Sequence, residues 1–249
     1  MEHNKKIFSL EENFMKDKKI YDTVWAYYQL NSYKDKDGNT FVYKTKDFTP
    51  TNILRNIQKV VGYKPNGKEI YNISLSTVKN NINLYKRMGL MWEGKTTDLY
   101  GKEVDVIFLK NEFEYYQLVE YETLRFLMNS TNGVVIKIYV YLLNKYMWKQ
   151  ETKEQYIFTK KELGENIGYS NQNNTNKMID DCLLNLKNNG LIDWVEFTEL
   201  NKDGKPMKLH KLTFVGTRVK GMEKVEQKPM EMAQPQPKND MNVVGNFIF

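Results

Sequence analysis

The sequence predicts an α+β, helix-rich fold in which one unit of a helix, a glycine and a strand occurs twice. The first copy is the segment Ser74 to Met91, where Val78, Ile82 and Tyr85 form an apolar stripe at helical spacing. Gly89 follows at a position typical of a helix end in the left-handed conformation, and an apolar extended run begins after it.

The second copy lies about one hundred residues further along the chain. Aligning Gly190 with Gly89 places Ile179, Leu183 and Leu186 on the three stripe positions of the first copy. Two more pairs of landmarks match: Gly62-Tyr63 with Gly168-Tyr169, each expected to close a helix, and residues 24–30 with residues 138–144. A helix-turn-helix followed by a β-hairpin is typical of winged helices, so we predict two tandem winged-helix domains with a C-terminal tail.

Composition places the boundaries of these domains. We expect an N-terminal arm over residues 1–19, winged-helix domains over 20–110 and 111–215, and a flexible tail over 216–249. We call residues 20–110 the first module and residues 111–215 the second module. The tail is rich in Lys, Glu, Gln, Pro and Met but ends in the apolar stretch Val243 to Phe249. We expect that end to dock on this chain, on a second copy or on a replication-protein partner.

The charge is distributed unequally along the chain. Residues 1 to 110 carry 19 Lys and Arg against 13 Asp and Glu, whereas residues 111 to 249 carry 18 of each. The whole excess of positive charge therefore lies in the first part, as a phosphate-binding surface requires. No apolar run reaches about 18 residues and no N-terminal targeting signal is evident, so we expect a cytoplasmic protein without a membrane partner.

Several chemical classes are excluded by the residues present. The single Cys182 excludes an intramolecular disulfide and cysteine-rich zinc sites, and we expect it in the core. Two histidines, His3 and His210, cannot form the His-hydrophobe-His metal site of rolling-circle nickases. No Walker loop, GxGxxG or Ser-His-Asp arrangement occurs. We therefore predict no catalytic residue, no cofactor and no metal, and a protein that is not an enzyme.

The first module supplies the main predicted DNA site. We expect a helix from Pro50 through Val61, then a recognition helix in the segment that starts at Ser74 and ends at Gly89. A wing follows, and its loop carries Lys95 and Lys102. The side chains predicted to reach the groove are Thr77, Lys79, Asn80 and Asn83, and those predicted to contact the DNA backbone are Lys86, Arg87 and Lys95.

The second module supplies a secondary predicted site. Its candidates are the asparagine-rich start of its recognition helix and the turn of its wing: Asn171, Asn173, Asn174, Asn176, Lys177, Lys202 and Lys205. The same start is equally compatible with a turn that only caps the helix. Asp180 and Asp181 replace Lys79 and Asn80 and would repel phosphate. Weak DNA binding, base reading through the asparagines and a role in assembly all stay open for this module.

Three segments of the second module also carry a resemblance: residues 119–127, 135–144 and 158–164. Together they resemble helix-turn-helix proteins of plasmids and phages of low-GC Gram-positive bacteria, which are described as replication initiators or replisome organisers. The resemblance implies tandem winged helices that bind repeated sites at an origin. We therefore predict a sequence-specific double-stranded DNA-binding protein, with replication initiation as the leading role. A transcriptional regulator of a mobile element and a winged-helix protein scaffold are the alternatives.

Overall fold

The computed structural model describes residues 5–9, 15–16, 23–98, 100–113, 115–130, 133–169 and 173–217. Within these residues it contains seven α-helices and four antiparallel sheets, which confirms the predicted α+β class. The apolar end of the tail, Val243 to Phe249, lies outside the described residues, as does Asn171.

The first module follows strand β1 (Lys5–Ser9), and its described residues contain three helices. Its elements are α1 (Thr23–Leu30), β2 (Tyr33–Lys34), β3 (Thr40–Tyr43), a 3-10 turn (Lys46–Phe48), α2 (Pro50–Ile57), β4 (Val60–Tyr63), β5 (Glu69–Tyr71), α3 (Leu75–Arg87), β6 (Met91–Thr97) and β7 (Glu103–Leu109). Four strands form a sheet in the order β2-β3-β7-β6, and among the described residues β4 pairs only with β5.

The described residues of the second module contain the other four helices. Its elements are β8 (Tyr116–Glu120), α4 (Tyr121–Ser130), α5 (Gly133–Glu151), β9 (Ile157–Phe158), α6 (Lys160–Asn166), α7 (Asn173–Asn188), β10 (Ile192–Leu200) and β11 (Pro206–Val215). Strands β9, β11 and β10 form a three-stranded sheet with β11 in the middle, while β8 pairs with β1.

The two modules repeat one order of elements. When β2, β4 and β5 are set aside, the first module follows the order α1-β3-α2-α3-β6-β7 and the second the order α5-β9-α6-α7-β10-β11. In both, the last strand lies between the other two strands of the series. The backbone agrees at the ends of α3 and α7, where Gly89 and Gly190 have φ angles of 66° and 67°. One residue later, the Leu90 and Leu191 amides each donate to a carbonyl five residues earlier at 2.9 Å.

Both apolar stripes face the interior, as predicted. Val78 and Tyr85 of α3 and their counterparts Ile179 and Leu186 of α7 are fully buried. Buried residues of the two modules belong to one continuous hydrophobic cluster. Cys182 lies in that cluster as expected, and burial raises the pKa of its thiol to about 12.

The helix predicted from Pro50 through Val61 is shorter than expected, and Gly62 does not end it. Helix α2 ends at Ile57, the next residue is extended, and Val60 and Val61 belong to strand β4. The prediction was wrong because the apolar spacing continued past the helix, whereas β-branched residues before a Pro-Asn-Gly turn favour a hairpin. The pairing of β4 with β5 decides the local conformation.

The landmark that paired Gly62 with Gly168 is also wrong. Gly62 lies inside strand β4, whereas Gly168 follows α6 with a φ angle of 89°. A Cβ atom at Gly168 would lie 1.8 Å from the carbonyl oxygen of Lys16. Gly168 is therefore required by a close backbone approach that has no counterpart at Gly62.

Part of the predicted N-terminal arm belongs to the folded body. Residues 5–9 form β1, which pairs with β8 from Lys5 opposite Glu120 to Ser9 opposite Tyr116. Phe8 and Met15 are buried in the core. Within its described residues, the segment 1–19 is therefore a packed element rather than a free arm.

Candidate nucleic-acid interface

Helix α3 presents a polar, cationic face opposite its buried stripe. It contains no acidic residue, and its N-terminus is capped by Ser74, whose hydroxyl accepts a hydrogen bond from the Thr77 amide at 3.2 Å. The six side chains predicted to contact DNA from this helix are all exposed: Thr77, Lys79, Asn80, Asn83, Lys86 and Arg87. The fold therefore brings them together on one surface.

Two of the lysines near this surface already have a protein partner. Lys86 donates to Glu93 of β6 at 2.7 Å, and Lys44 donates to the other oxygen of the same carboxylate. The hydrogen bonds from Lys44 and Lys86 lower the pKa of Glu93 to about 2. The positive charge of Lys86 is thus partly compensated within the protein, while Lys79 and Arg87 form no ion pair among the described residues.

The wing of the first module differs from the prediction at Lys95. This residue lies within strand β6 rather than in the loop, and its ammonium donates to Glu103 of β7 at 2.7 Å. Between the two strands, the Asp98 Oδ1 atom accepts a hydrogen bond from the Lys102 amide at 2.9 Å. Lys102 is therefore the lysine at the tip of this wing.

The asparagine-rich start of α7 is only partly available for contacts. Asn173 is the first residue of the helix, and Asn174 and Lys177 are exposed. Asn176 is half-buried, and its Oδ1 atom is shielded from solvent. Lys202 and Lys205 are exposed on the turn between β10 and β11, which follows α7 in the chain.

The outer face of α7 does not reproduce that of α3. Asp180 and Asp181 are exposed where α3 has Lys79 and Asn80, and Asp180 forms an ion pair with Lys160. Leu184 is 53% exposed at the position of Asn83. The second helix therefore carries acidic and apolar groups on the face that is cationic and polar in the first module.

Sequence reasoning missed one exposed element beside α3. Strands β4 and β5 form a hairpin between α2 and α3, and its turn carries Lys64 and Lys68. The signal was present in the sequence as Pro65-Asn66-Gly67 between two runs of β-branched and aromatic residues. We call residues 58–73 the inserted hairpin.

Other kinds of site have little support in the part of the chain that the structure describes. No three His, Cys, Asp or Glu side chains are grouped there so that they could hold a metal ion. None of the helices described there combines the length and the hydropathy needed to cross a bilayer. No family model, curated protein or solved structure matches the chain.

Proposed function

We propose that this protein is a sequence-specific double-stranded DNA-binding protein in which α3 enters the major groove. The observation that carries the proposal is the face of α3, where exposed Thr, Asn, Lys and Arg side chains stand together on a helix without an acidic residue. Asparagine can pair with adenine through two hydrogen bonds, and cationic side chains bind phosphate. The surface thus combines base-reading and backbone-binding groups.

The order of elements supports two tandem winged helices. In each module two helices, separated in the first module by the inserted hairpin, precede two antiparallel strands, and the second helix is anchored by a buried stripe. This arrangement leaves one face of α3 free to enter a groove about 12 Å wide while the hairpin of β6 and β7 lies beside it. Thr77, Lys79, Asn80 and Asn83 are the proposed groove contacts, and Lys86, Arg87 and Lys102 are the proposed backbone contacts.

We propose replication initiation on a plasmid or phage as the process, with transcriptional regulation of a mobile element as the alternative. Both use the same contacts from α3, so the arrangement of binding sites distinguishes them. An initiator binds iterated sites, whereas a dimeric repressor binds a palindrome whose half-sites are spaced by about one helical turn.

A protein-docking role of the second module is a separate candidate. It is favoured by the exposed face of α7, where Asp181 and Leu184 offer an acidic and apolar surface that repels phosphate. Such a surface is suited to a cationic, partly apolar protein partner. The first module then reads DNA while the second module recruits protein.

The test compares Lys79→Glu with the matched variant Lys177→Glu on α7. Binding is measured to DNA fragments that tile the genetic neighbourhood of the coding sequence, over a salt series. We expect Lys79→Glu to weaken retention of the specific fragment at least about 30-fold and Lys177→Glu to change it less than about threefold. If the wild-type protein retains no fragment specifically and shows no salt-dependent DNA affinity, the proposal is wrong.

A further inference from the structure

The inserted hairpin is held firmly between α2 and α3 by hydrogen bonds at its base. Asn72 accepts from the Lys59 amide at 2.7 Å and donates through Nδ2 to the Ile57 carbonyl at 3.2 Å. Gln58 donates through Nε2 to the Ile73 carbonyl at 3.1 Å. Because Ile73 directly precedes the Ser74 cap, the orientation of the hairpin is coupled to the N-terminus of α3.

Both strands of the inserted hairpin expose large apolar side chains. Val61 and Tyr63 on β4 are 62% and 67% exposed, and Tyr71 on β5 is 47% exposed. Among the described residues, β4 and β5 pair only with each other. An exposed group of this size, on a rigid support, indicates a surface that contacts another molecule.

The turn of the inserted hairpin is cationic. The Lys64 amide donates to the Lys68 carbonyl at 2.8 Å, and the Gly67 amide donates back to the Lys64 carbonyl at 2.9 Å. Gly67 has a φ angle of 77°, which a side chain would disfavour. Both lysines are exposed and form no ion pair within the described part of the chain. The nearest carboxylate in sequence, Glu69, accepts a hydrogen bond from the Tyr71 hydroxyl.

The inserted hairpin lies in the module whose second helix is cationic. In the second module, the link from α6 to α7 spans residues 167–172, and the Tyr169 amide donates back to the Gly164 carbonyl at 2.8 Å. That link is much shorter than the inserted hairpin, and it leads into a helix with two exposed aspartates. The insertion therefore accompanies the DNA-binding face of α3 and not the duplicated fold.

The area and the charge of the inserted hairpin favour DNA over a second copy of this chain as its partner. A self-association interface of ordinary stability buries about 800 Å² on each partner, which is large for one face of two short strands. The two lysines of the turn can instead bind phosphates of the duplex that α3 contacts, which requires no large buried area. Tyrosine and valine side chains on the same strands suit contact with the sugars and the groove edge.

We infer that the inserted hairpin is a second DNA-contacting element, which places Lys64 and Lys68 on the phosphate backbone beside the groove entered by α3. The inference rests on the proposed function and extends it. The hairpin then lengthens the contacted duplex in the direction of the N-terminus of α3, opposite to the helix end that leads into the wing of β6 and β7.

The experiment uses the full-length protein and a double variant, Lys64→Ala with Lys68→Ala. The matched control is Lys34→Ala with Lys36→Ala, which removes two exposed lysines at the glycine-containing turn between β2 and β3, a turn with the same backbone hydrogen bonds. Fluorescence anisotropy is recorded with a labelled duplex that carries the site retained by the wild type. The salt concentration is varied from about 50 to about 300 mM, so that the slope of log affinity against log salt can be measured. Thermal melting by circular dichroism checks that each variant is folded.

We expect the hairpin variant to bind about tenfold more weakly and to lower the slope of log affinity against log salt by roughly 1.8, which corresponds to two phosphate contacts. The control variant should keep the wild-type slope. If the hairpin variant keeps the wild-type affinity and slope while Lys79→Glu loses binding, the hairpin inference is wrong and the proposed function stands. Analytical ultracentrifugation of the free protein tests self-association. If the hairpin variant changes only the sedimentation of the free protein, the hairpin is a self-association surface and the inference is also wrong. A wild-type protein without duplex affinity overturns both.

Discussion

Helices α3 and α7 occupy equivalent places in the two modules but expose opposite chemistry. Their buried stripes and the hydrogen bonds after their C-terminal glycines agree, so the backbone is duplicated closely. Their outer faces do not agree, since Lys79 and Asn80 correspond to Asp180 and Asp181. The comparison shows that the fold depends on the buried positions, while the exposed positions are free to take on different partners.

The wings show the same divergence in their ion pairs. Lys95 of β6 pairs with Glu103 of β7 in the first module, whereas Glu196 of β10 pairs with Lys208 of β11 in the second. The positions correspond, and the signs are reversed. Each pair is exposed and contributes little to stability, so its sign is not constrained by folding. The surfaces beside the two helices have therefore diverged without changing the sheets.

The largest loss of stability is expected at Gly168. The sequence pattern aligned this glycine with Gly62, but their surroundings in the structure differ. Gly168→Ala is expected to lower the free energy of unfolding by about 3 kcal/mol, because its Cβ would overlap the Lys16 carbonyl and its φ angle is positive. Gly62→Ala should change it by less than about 0.5 kcal/mol, since only the Ile70 Cδ1 atom lies within 4 Å of the new Cβ. Urea denaturation measures both, and equal losses would restore the equivalence of the two glycines.

Matched core truncations test whether the two modules fold independently. Val78→Ala and Ile179→Ala remove fully buried side chains at equivalent places, and each should cost about 2–3 kcal/mol. We expect one unfolding transition in urea, followed by tryptophan fluorescence and circular dichroism, because the buried cluster is continuous across both modules. Two transitions, each shifted by only one variant, would instead show that each module unfolds by itself.

The smallest expected effect is a loss of stability at low pH that arises in the sheet of the second module and not in the sheet of the first. His210 of β11 is buried beside Phe158, where desolvation lowers its pKa below 6.5; Lys160 and Lys208 add to this and Glu196 opposes it. The unfolded chain therefore takes up a proton that folded His210 resists, so stability is lost as the pH falls below 6.5.

The corresponding position in β7 is Asp105, and the first module has no histidine within its range. His210→Gln should reduce the loss of stability between pH 7.5 and 5.5 by less than about 1 kcal/mol, measured by urea denaturation at both values. An unchanged or larger pH dependence in this variant would show that His210 is not the group that titrates.

Most of the element order and the main candidate surface could be predicted from the sequence. The Ser74 cap, the stripe of Val78 and Tyr85 and the end at Gly89 are local signals, and they placed α3 and its polar face correctly. The partners of that face could not be predicted. Glu93 lies on β6, whereas Lys44 follows β3 and Lys86 lies on α3, so its pairing with both depends on how the strands align.

The sequence by itself determined the α+β class, the repeated order of elements and the positions that must be buried, because helical periodicity, caps and glycine turns act over a few neighbouring residues. Only the tertiary structure decided that Val60 and Val61 pair with the strand after the turn, and that Gly168 is required by the backbone of Lys16. These outcomes depend on contacts between segments far apart in the chain. Such contacts outweigh local propensity when both conformations are nearly equal in free energy.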